Sequence, residues 1–505
     1  MQIFSSPTSS RYILALDLGT TGNRAFVFNI NGEIIAQAYK ELTQYYPRPG
    51  WLEHDPEEIW RDTCWVMQTA IKNAQITPSE IAALGLTVQR ETCLIWDKTT
   101  GKPLHPAIVW QDRRTAPFCH QLQAQGYAQE ICDRTGLVID AYFSATKLKW
   151  LLDHCTDINL NNVLAGTIDT WILWKLTGGK VHATDHSNAS RTMLMNLKTG
   201  TWDEKLLEIL QIPAQILPSI QPSLGKFGVT DSTLLGAKIP ITAILGDQQA
   251  SLFGHGCDRP GFMKCTYGTG SFLVAHTGSE IVRSSQQLIS TVAWTQLNQS
   301  NILNMGYALE GSMFTSGACI QWLRDSIKLI KTAAETEAMA NQVTDTGGVY
   351  FIPAFSGLGA PHWDMSARGA FFGITASVQP QHLVRAVLEA IAYQVLEVVE
   401  AINTSCGTPM QQLTVDGGAC ENNFLMQFQA DILGIPVARP IMRDTTVQGA
   451  AFAAGLAIGF WDDYAALVSQ RKIDRIFEPN PDNHQGKANF ATWKQAVKRT
   501  LAWES

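Results

Sequence analysis

Four consecutive residues, Gln89-Arg90-Glu91-Thr92, put an amide, a cation, a carboxylate and a hydroxyl in a row directly after an apolar run. A polyhydroxylated small molecule needs both donors and acceptors, and an adjacent Arg and Glu supply both. Taken by itself, an Arg-Glu neighbour pair is an ordinary surface ion pair of little energetic weight. A second acidic position strengthens the chemical reading. Gly246-Asp247-Gln248-Gln249 follows the apolar stretch Ile241 to Leu245, and the carboxyl end of a buried strand is where open α/β sheets place their ligand-binding groups. Asp17 closes a third apolar run, YILALD, and faces a glycine/threonine turn. A carboxylate there can hold Mg²⁺ through water, since magnesium is usually bound by one or two carboxylates and the substrate's phosphates. The alternative is an Asp that hydrogen-bonds its own turn.

Turns of one chemical type recur at strand ends: Gly19-Thr20-Thr21-Gly22, Gly268-Thr269-Gly270-Ser271 and Gly417-Gly418. A turn without side-chain bulk exposes backbone N–H groups, hydroxyls add donors, and such concavities cradle phosphate oxygens. Any one of them alone is explained as a tight hairpin, where glycine is routine. All of them together, two in equivalent positions, point to a nucleotide site. Neither a G-x-x-x-x-G-K-[ST] nor a G-x-G-x-x-G motif accompanies them, so the site is built differently from those two phosphate loops.

The elements that must position these groups follow from hydrophobic patterning. Tyr12 to Asp17, Asn23 to Asn29 and Glu33 to Tyr39, separated by glycine-bearing turns, predict an antiparallel three-strand meander. A helix is expected over Pro56 to Asn73, with Ile59, Thr63, Val66, Met67, Ala70 and Ile71 on one face, followed by a strand over Ala82 to Thr87. The strand–turn–strand pattern returns at Phe262 to Tyr267, GTGS and FLVAH. Asp17-Leu-Gly19-Thr20 aligns with Thr266-Tyr-Gly268-Thr269, a short match whose place at the start of each half, in the same strand–turn–strand context, points to an internal duplication. The boundary is expected within Gly254 to Gly261, giving domains 1–256 and 257–505. A long helix over Gln381 to Thr404, a short buried strand at Leu413 to Asp416 and a small-residue helix over Thr446 to Ile458 complete the second half.

Composition removes several function classes. With 505 residues, more than one hydrophobic core is expected. A formal net charge of −7 argues against phosphate-backbone binding, so nucleic acid is not an expected partner. The ten cysteines are dispersed without a C-x-x-C pair, which gives no support to a zinc or dithiol site. The N-terminal MQIFSSPTSSR lacks the charge and apolar pattern of an export leader, and the apolar segment Gly449 to Trp461 is too short to span a bilayer. A soluble cytoplasmic enzyme is the expectation.

The ordered blocks YPRPGWLEHDPEEIW, QRET, AIVWQDRRT, TIDTWILWKLTGG, NASRTML, GDQQASLFG, TYGTGSF, FSGLGAPHWD, ARGAFFGIT and VDGGACENNFLMQFQADILG resemble the FGGY carbohydrate kinases along nearly the whole chain. QRET and AIVWQDRR narrow the resemblance to the members that act on glycerol. It implies an α/β fold of two duplicated actin/hexokinase-type (ribonuclease H-like) domains around a central cleft, with glycerol mainly on the first domain and ATP with Mg²⁺ mainly on the second. By matching motif, Arg90, Glu91, Tyr142, Asp247 and Gln248 would hydrogen-bond glycerol, while Trp110 and Phe272 would cover its carbons. Asp247 would be the catalytic base and Asp17 would lie by the metal. Thr20, Thr21, Gly22, Arg24, Thr269, Gly317, Gln321, Gly418 and Asn422 would line the nucleotide site. The resemblance also implies a homo-oligomer, a dimer or tetramer. The chain departs from the glycerol-type pattern at Leu18 (usually Gln), at Gly22-Asn23 (commonly Ser-Ser) and at Val88 (usually Asn). Two other readings stay open: an FGGY kinase for xylulose or gluconate, and an actin-like ATPase with no second substrate.

Overall fold

The structure, a computed structural model, describes residues 11–156, 159–482 and 485–503. The stretch read for an export leader lies, apart from Arg11, outside the described residues. Two compact units are formed, one from Met1–Gly256, Ser290–Tyr307 and Thr445–Gln470, the other from Cys257–Ile289, Ala308–Asp444 and Arg471–Ser505. The chain therefore passes between units more often than a single boundary after residue 256 allows.

In the first unit β1 (Tyr12–Leu18), β2 (Gly22–Phe28) and β3 (Ile34–Glu41) form the antiparallel meander expected from the sequence. Asn29 fixes the second turn by accepting the N–H groups of Asn31 and Glu33 on its side chain, and Gly32 takes the left-handed conformation the turn needs, with φ +73°. The strand Ile81–Val88 adds parallel to β1, and Ile241–Gly246 adds parallel to Ile81–Val88. Apart from half-buried Tyr12, the side chains of β1, Ile81–Val88 and Ile241–Gly246 are buried, as a sheet covered on both faces requires. One cover is α1 (Pro56–Asn73), capped by Asp55, whose carboxylate accepts the Glu57 N–H at 2.9 Å, and opened by Pro56. Its expected apolar face is buried.

Another cover is the helix Thr445–Ala457 of the same unit. Its small residues permit backbone-to-backbone packing. A Cβ at Gly449 would stand 1.8 Å from the Ala250 carbonyl oxygen, and one at Gly85 would stand 2.2 Å from that of Ala450. The Thr242 hydroxyl donates to the Ala454 carbonyl at 2.9 Å. This segment is the tightly packed buried helix its composition predicts.

The second unit repeats the plan. Phe262–Tyr267 pairs antiparallel with Ser271–Gly278 and parallel with Gln412–Asp416, and Val437–Pro440 adds parallel beyond that strand. Thr266 faces Asp416 across the parallel pair in the second unit, where Asp17 faces Thr87 in the first. Hence the residues leaving the two equivalent strands, Gln89-Arg90 and Gly417-Gly418, occupy corresponding places. The helix Pro380–Cys406 runs beneath this sheet and ends at Gly407, with φ +64°. All ten cysteines are free. Among the described residues no helix is long and apolar enough to cross a membrane.

Candidate active site

Arg90 organises the polar groups of the first unit. Its Nε lies 3.1 Å from Asp247 Oδ1 and 3.8 Å from Glu91 Oε1. Its terminal nitrogens donate to Gln249 Oε1 at 3.2 Å and to the Tyr142 hydroxyl at 3.3 Å. The Arg90 and Glu91 side chains are 2% exposed, whereas that of Asp247 is 28% exposed, so Asp247 is the carboxylate of this set that meets solvent. Gly246 makes the arrangement possible, since a Cβ there would come within 2.6 Å of Arg90 Cδ. Asp247 begins the helix Asp247–Gly254, and its own carboxylate accepts the Gln248 N–H at 2.7 Å. Glu91 sits in the left-handed region, with φ +62°, at a cost of roughly 1–3 kcal/mol for a residue with a side chain. Such strain persists only where surroundings hold it. Here Ser144 Oγ donates to the Glu91 carbonyl at 3.0 Å, and Arg191 Nε donates to Glu91 Oε1 at 2.6 Å.

Tyr142 is held by its own backbone. The Asp140 carboxylate accepts the Tyr142 N–H at 2.7 Å, and the Lys147 ammonium donates to the carbonyls of Ala141, Tyr142 and Phe143 at 2.9, 2.6 and 2.9 Å. Burial pushes the Lys147 pKa down, yet these carbonyls give its protons partners. The Trp110 and Tyr142 rings meet edge to face, with centroids 5.6 Å apart.

The Gly19–Gly22 turn is braced through its carbonyls. Gln89 Nε2 donates to the Gly19 carbonyl at 3.2 Å, Gln44 Nε2 to that of Thr20 at 2.8 Å, and the Leu42 N–H to that of Thr21 at 3.0 Å. His54 links the two glutamines, 3.0 Å from Gln44 Oε1 and 3.3 Å from Gln89 Nε2. Burial lowers its pKa to about 4, so the ring is neutral and can donate to one amide and accept from the other. Arg24 Nη2 pairs with Asp17 Oδ2 at 2.5 Å. Gly22 fits against Tyr39, whose ring would lie 2.5 Å from a Cβ there, and this is why no side chain stands at that position. Thr21 is exposed beside it.

In the second unit Gly317 opens the helix Gly317–Asp325 against the Gly268 turn. Its N–H donates to the Gly268 carbonyl at 2.9 Å, the N–H groups of Ser316 and Ala318 reach the Thr269 carbonyl, and a Cβ at Gly317 would stand 2.5 Å from Gly268 O. Gln321 lies one turn further along that helix and is exposed. Gly417 adopts φ +84° over the Tyr267 carbonyl, and no atom lies within 4 Å of where a Gly418 Cβ would be. Asn422 caps the helix Asn423–Leu433 and also donates to Thr336 Oγ1 at 3.0 Å. Phe272 is buried on the Ser271–Gly278 strand, in register with Thr266.

The first unit thus brings Arg90, Glu91, Tyr142, Asp247 and Trp110 together, with Gln248 next along the helix from Asp247 and Thr20 bonded to Trp110. The second unit joins the Thr269 turn to Gly317 and, separately, Gly418 to Asn422 through one short turn. Sequence reasoning missed Arg191, Gln249, Gln44 and His54. Arg191 and Gln249 stand inside the NASRTML and GDQQ blocks, which carried their signal without assigning it. Among the described residues no cluster of three or more His, Cys, Asp or Glu could hold a metal ion by itself.

A duplicated α/β architecture with glycine turns at equivalent strand ends, and in the first unit a buried set of Arg, Glu and Tyr with one more open Asp, is the construction of a small-molecule phosphotransferase. The model for the FGGY family of carbohydrate kinases, N-terminal domain, matches residues 12–254, and that for the C-terminal domain matches residues 263–458. The chain belongs to the FGGY family of carbohydrate kinases. It is 82% identical over 496 residues to a glycerol kinase of Nostoc sp., covering 98% of this chain and 99% of that one. A glycerol kinase of Acaryochloris marina is 67% identical over 500 residues, again covering 98% and 99% of the two chains. The crystal structure of Plasmodium falciparum glycerol kinase with ADP superposes with a TM-score of 0.89 at 36% identity, covering 98% of this chain and 99% of that one.

Proposed function

We propose that this chain transfers the γ-phosphoryl group of ATP to glycerol, yielding sn-glycerol 3-phosphate. The observation that carries the reading is the buried Arg90 held against both Glu91 and Asp247, with the Tyr142 hydroxyl at its far end. Such a set offers donors and acceptors to a short polyol while leaving one carboxylate, that of Asp247, open to the incoming hydroxyl. The name glycerol kinase, borne by proteins 82% and 67% identical, supports glycerol as the acceptor over larger sugars. The departures at Leu18 and Val88 do not weaken it, because the two residues face each other in register and both are buried in the apolar core.

Phosphoryl transfer passes through a loose transition state, so positioning and charge stabilisation dominate. In this reading Arg90, Glu91, Tyr142 and Gln248 hold the glycerol hydroxyls and the faces of Trp110 and Phe272 cover its carbons. Asp247 orients the reacting hydroxyl and takes its proton late, as the P–O bond forms, because an aspartate is far too weak a base to ionise an alcohol beforehand. Thr20, Thr21, Gly22 and Arg24 in the first unit and Thr269, Gly317, Gln321, Gly418 and Asn422 in the second are assigned to the nucleotide. Among the described residues there is no three-ligand cluster, and the Asp17 carboxylate, paired with Arg24, would meet a magnesium ion carried in on phosphate oxygens and water. When bound, that ion neutralises charge developing between the phosphates. A cytoplasmic location and a dimer or tetramer accompany the reading as expectations of the family resemblance.

The experiment is ATP turnover by the purified chain with and without glycerol. ADP release that rises with glycerol and matches sn-glycerol 3-phosphate formed is expected. Equal ADP release without any acceptor would instead mark an ATPase.

A further inference from the structure

We infer that Arg191 is a positioning residue for acceptor recognition, acting through Glu91 rather than on the substrate; the inference rests on the functional reading above. Arg191 is fully buried, and its Nε donates to Glu91 Oε1 at 2.6 Å. Its guanidinium lies 5.5 Å from the Tyr142 ring centroid and 5.4 Å from that of Phe143. Two facts make it more than a packing residue. The first is charge. Arg90 is shared between Glu91 and Asp247, so this cation would otherwise be divided between two carboxylates, of which Glu91, 2% exposed, has almost no water to compensate. Arg191 supplies the second cation and balances the set. The second is conformation. Glu91 is held at φ +62°, and a charge-assisted bond to its carboxylate fixes the side-chain end of a residue whose backbone is strained.

The segment that carries Arg191 also supports Asp247. The short helix His186–Ala189 is capped by Asp185, and Ser187 Oγ accepts the Gly246 N–H at 2.9 Å, one residue before Asp247. One platform therefore sets both carboxylates of the site. Arg191 bonds to Glu91, a carboxylate assigned to the acceptor, which predicts an effect on acceptor binding in preference to nucleotide binding.

The test is steady-state kinetics of Arg191→Gln, Arg191→Lys, Glu91→Gln and the double variant Glu91→Gln/Arg191→Gln, each checked for folding by its thermal transition. Arg191→Gln should raise KM for glycerol by about 10- to 150-fold, the equivalent of one lost charged hydrogen bond, and leave KM for ATP within about twofold. Arg191→Lys, which keeps the charge and loses the planar fork, should fall between it and the parent. The double variant should be no worse than the poorer single variant, because both changes break one interaction. Multiplying effects in the double variant, or equal loss for glycerol and ATP, would overturn the assignment. If Arg191→Gln does not fold, Arg191→Lys alone decides: a raised glycerol KM with unchanged ATP KM supports the role, and unchanged glycerol KM overturns it. A parent protein that fails to phosphorylate glycerol at all would refute the functional reading instead, a result separable from every variant outcome.

Discussion

The indole N–H of Trp110 donates to the hydroxyl of Thr20 at 2.9 Å. A residue assigned to the acceptor's apolar cover is thereby tied to one assigned to the phosphate turn, inside the same unit. Trp110 is fixed from the other side as well, its backbone N–H donating to Thr92 Oγ1 at 3.2 Å within the QRET segment. Trp110→Phe keeps the aromatic cover and removes the donor. Loss of one neutral hydrogen bond is worth about 0.5–1.5 kcal/mol, so kcat/KM for glycerol should fall by about 2- to 12-fold. Trp110→Ala should fall further, having lost the cover too. A Phe variant with unchanged kinetics would show that the link has no bearing on turnover.

Asp247→Asn keeps shape and can still hydrogen-bond but cannot accept a proton. Turnover should drop by about 10²- to 10⁴-fold, the usual contribution of a general base, while glycerol binding measured by calorimetry changes little. A variant within a few-fold of the parent kcat would remove Asp247 from the proton-transfer step.

Arg90→Ala strikes two carboxylates together, since the same guanidinium nitrogen lies 3.1 Å from Asp247 and 3.8 Å from Glu91. A buried charged hydrogen-bond partner is worth about 1.5–3 kcal/mol. The KM for glycerol should rise by that equivalent and kcat should fall as Asp247 loses its orientation, with ATP affinity nearly unchanged. Equal weakening of both ligands would contradict the assignment of Arg90 to the acceptor.

Stability offers a check independent of activity. Gly449 abuts the Ala250 carbonyl so closely that a Cβ would stand 1.8 Å from it. Gly449→Val should lower unfolding free energy by about 3 kcal/mol or more, at the upper end of overpacking costs, seen as a shift of the denaturation midpoint at constant slope. Gly418→Ala, where no atom lies within 4 Å of the added carbon, should leave the midpoint almost unmoved. Similar midpoints for the two would contradict the close packing of Thr445–Ala457.

Local features were the legible ones. Apolar runs bounded by glycine turns gave β1 to β3 and the strands at Ile81–Val88 and Ile241–Gly246, and the period of 3.6 gave Pro56–Asn73. The match of Asp17-Leu-Gly19-Thr20 with Thr266-Tyr-Gly268-Thr269 foreshadowed a duplication that the paired registers bear out. Relationships between distant residues were not legible. Arg191 meets Glu91 across 100 positions of chain, and no spacing rule links them. The chain Gln44–His54–Gln89 is equally hidden, because buried amides and a neutral imidazole resemble any other polar residues in a sequence. Leu18 and Val88 each read as a departure at a functional motif, yet they are partners in register within the core. The assignment of Thr445–Gln470 to the first unit escaped notice for a related reason: a small-residue helix announces close packing and not the neighbour it packs on.

The most direct measurement is a coupled assay of the parent protein with ATP·Mg²⁺ and a panel of acceptors: glycerol, dihydroxyacetone, xylulose and gluconate. A site built to hydrogen-bond particular hydroxyls discriminates strongly, since a poor match leaves buried polar groups unpaired. Glycerol should give the highest kcat/KM, by at least about 100-fold over xylulose and gluconate. Comparable or greater efficiency with either sugar, or ADP release indifferent to every acceptor, would contradict the account.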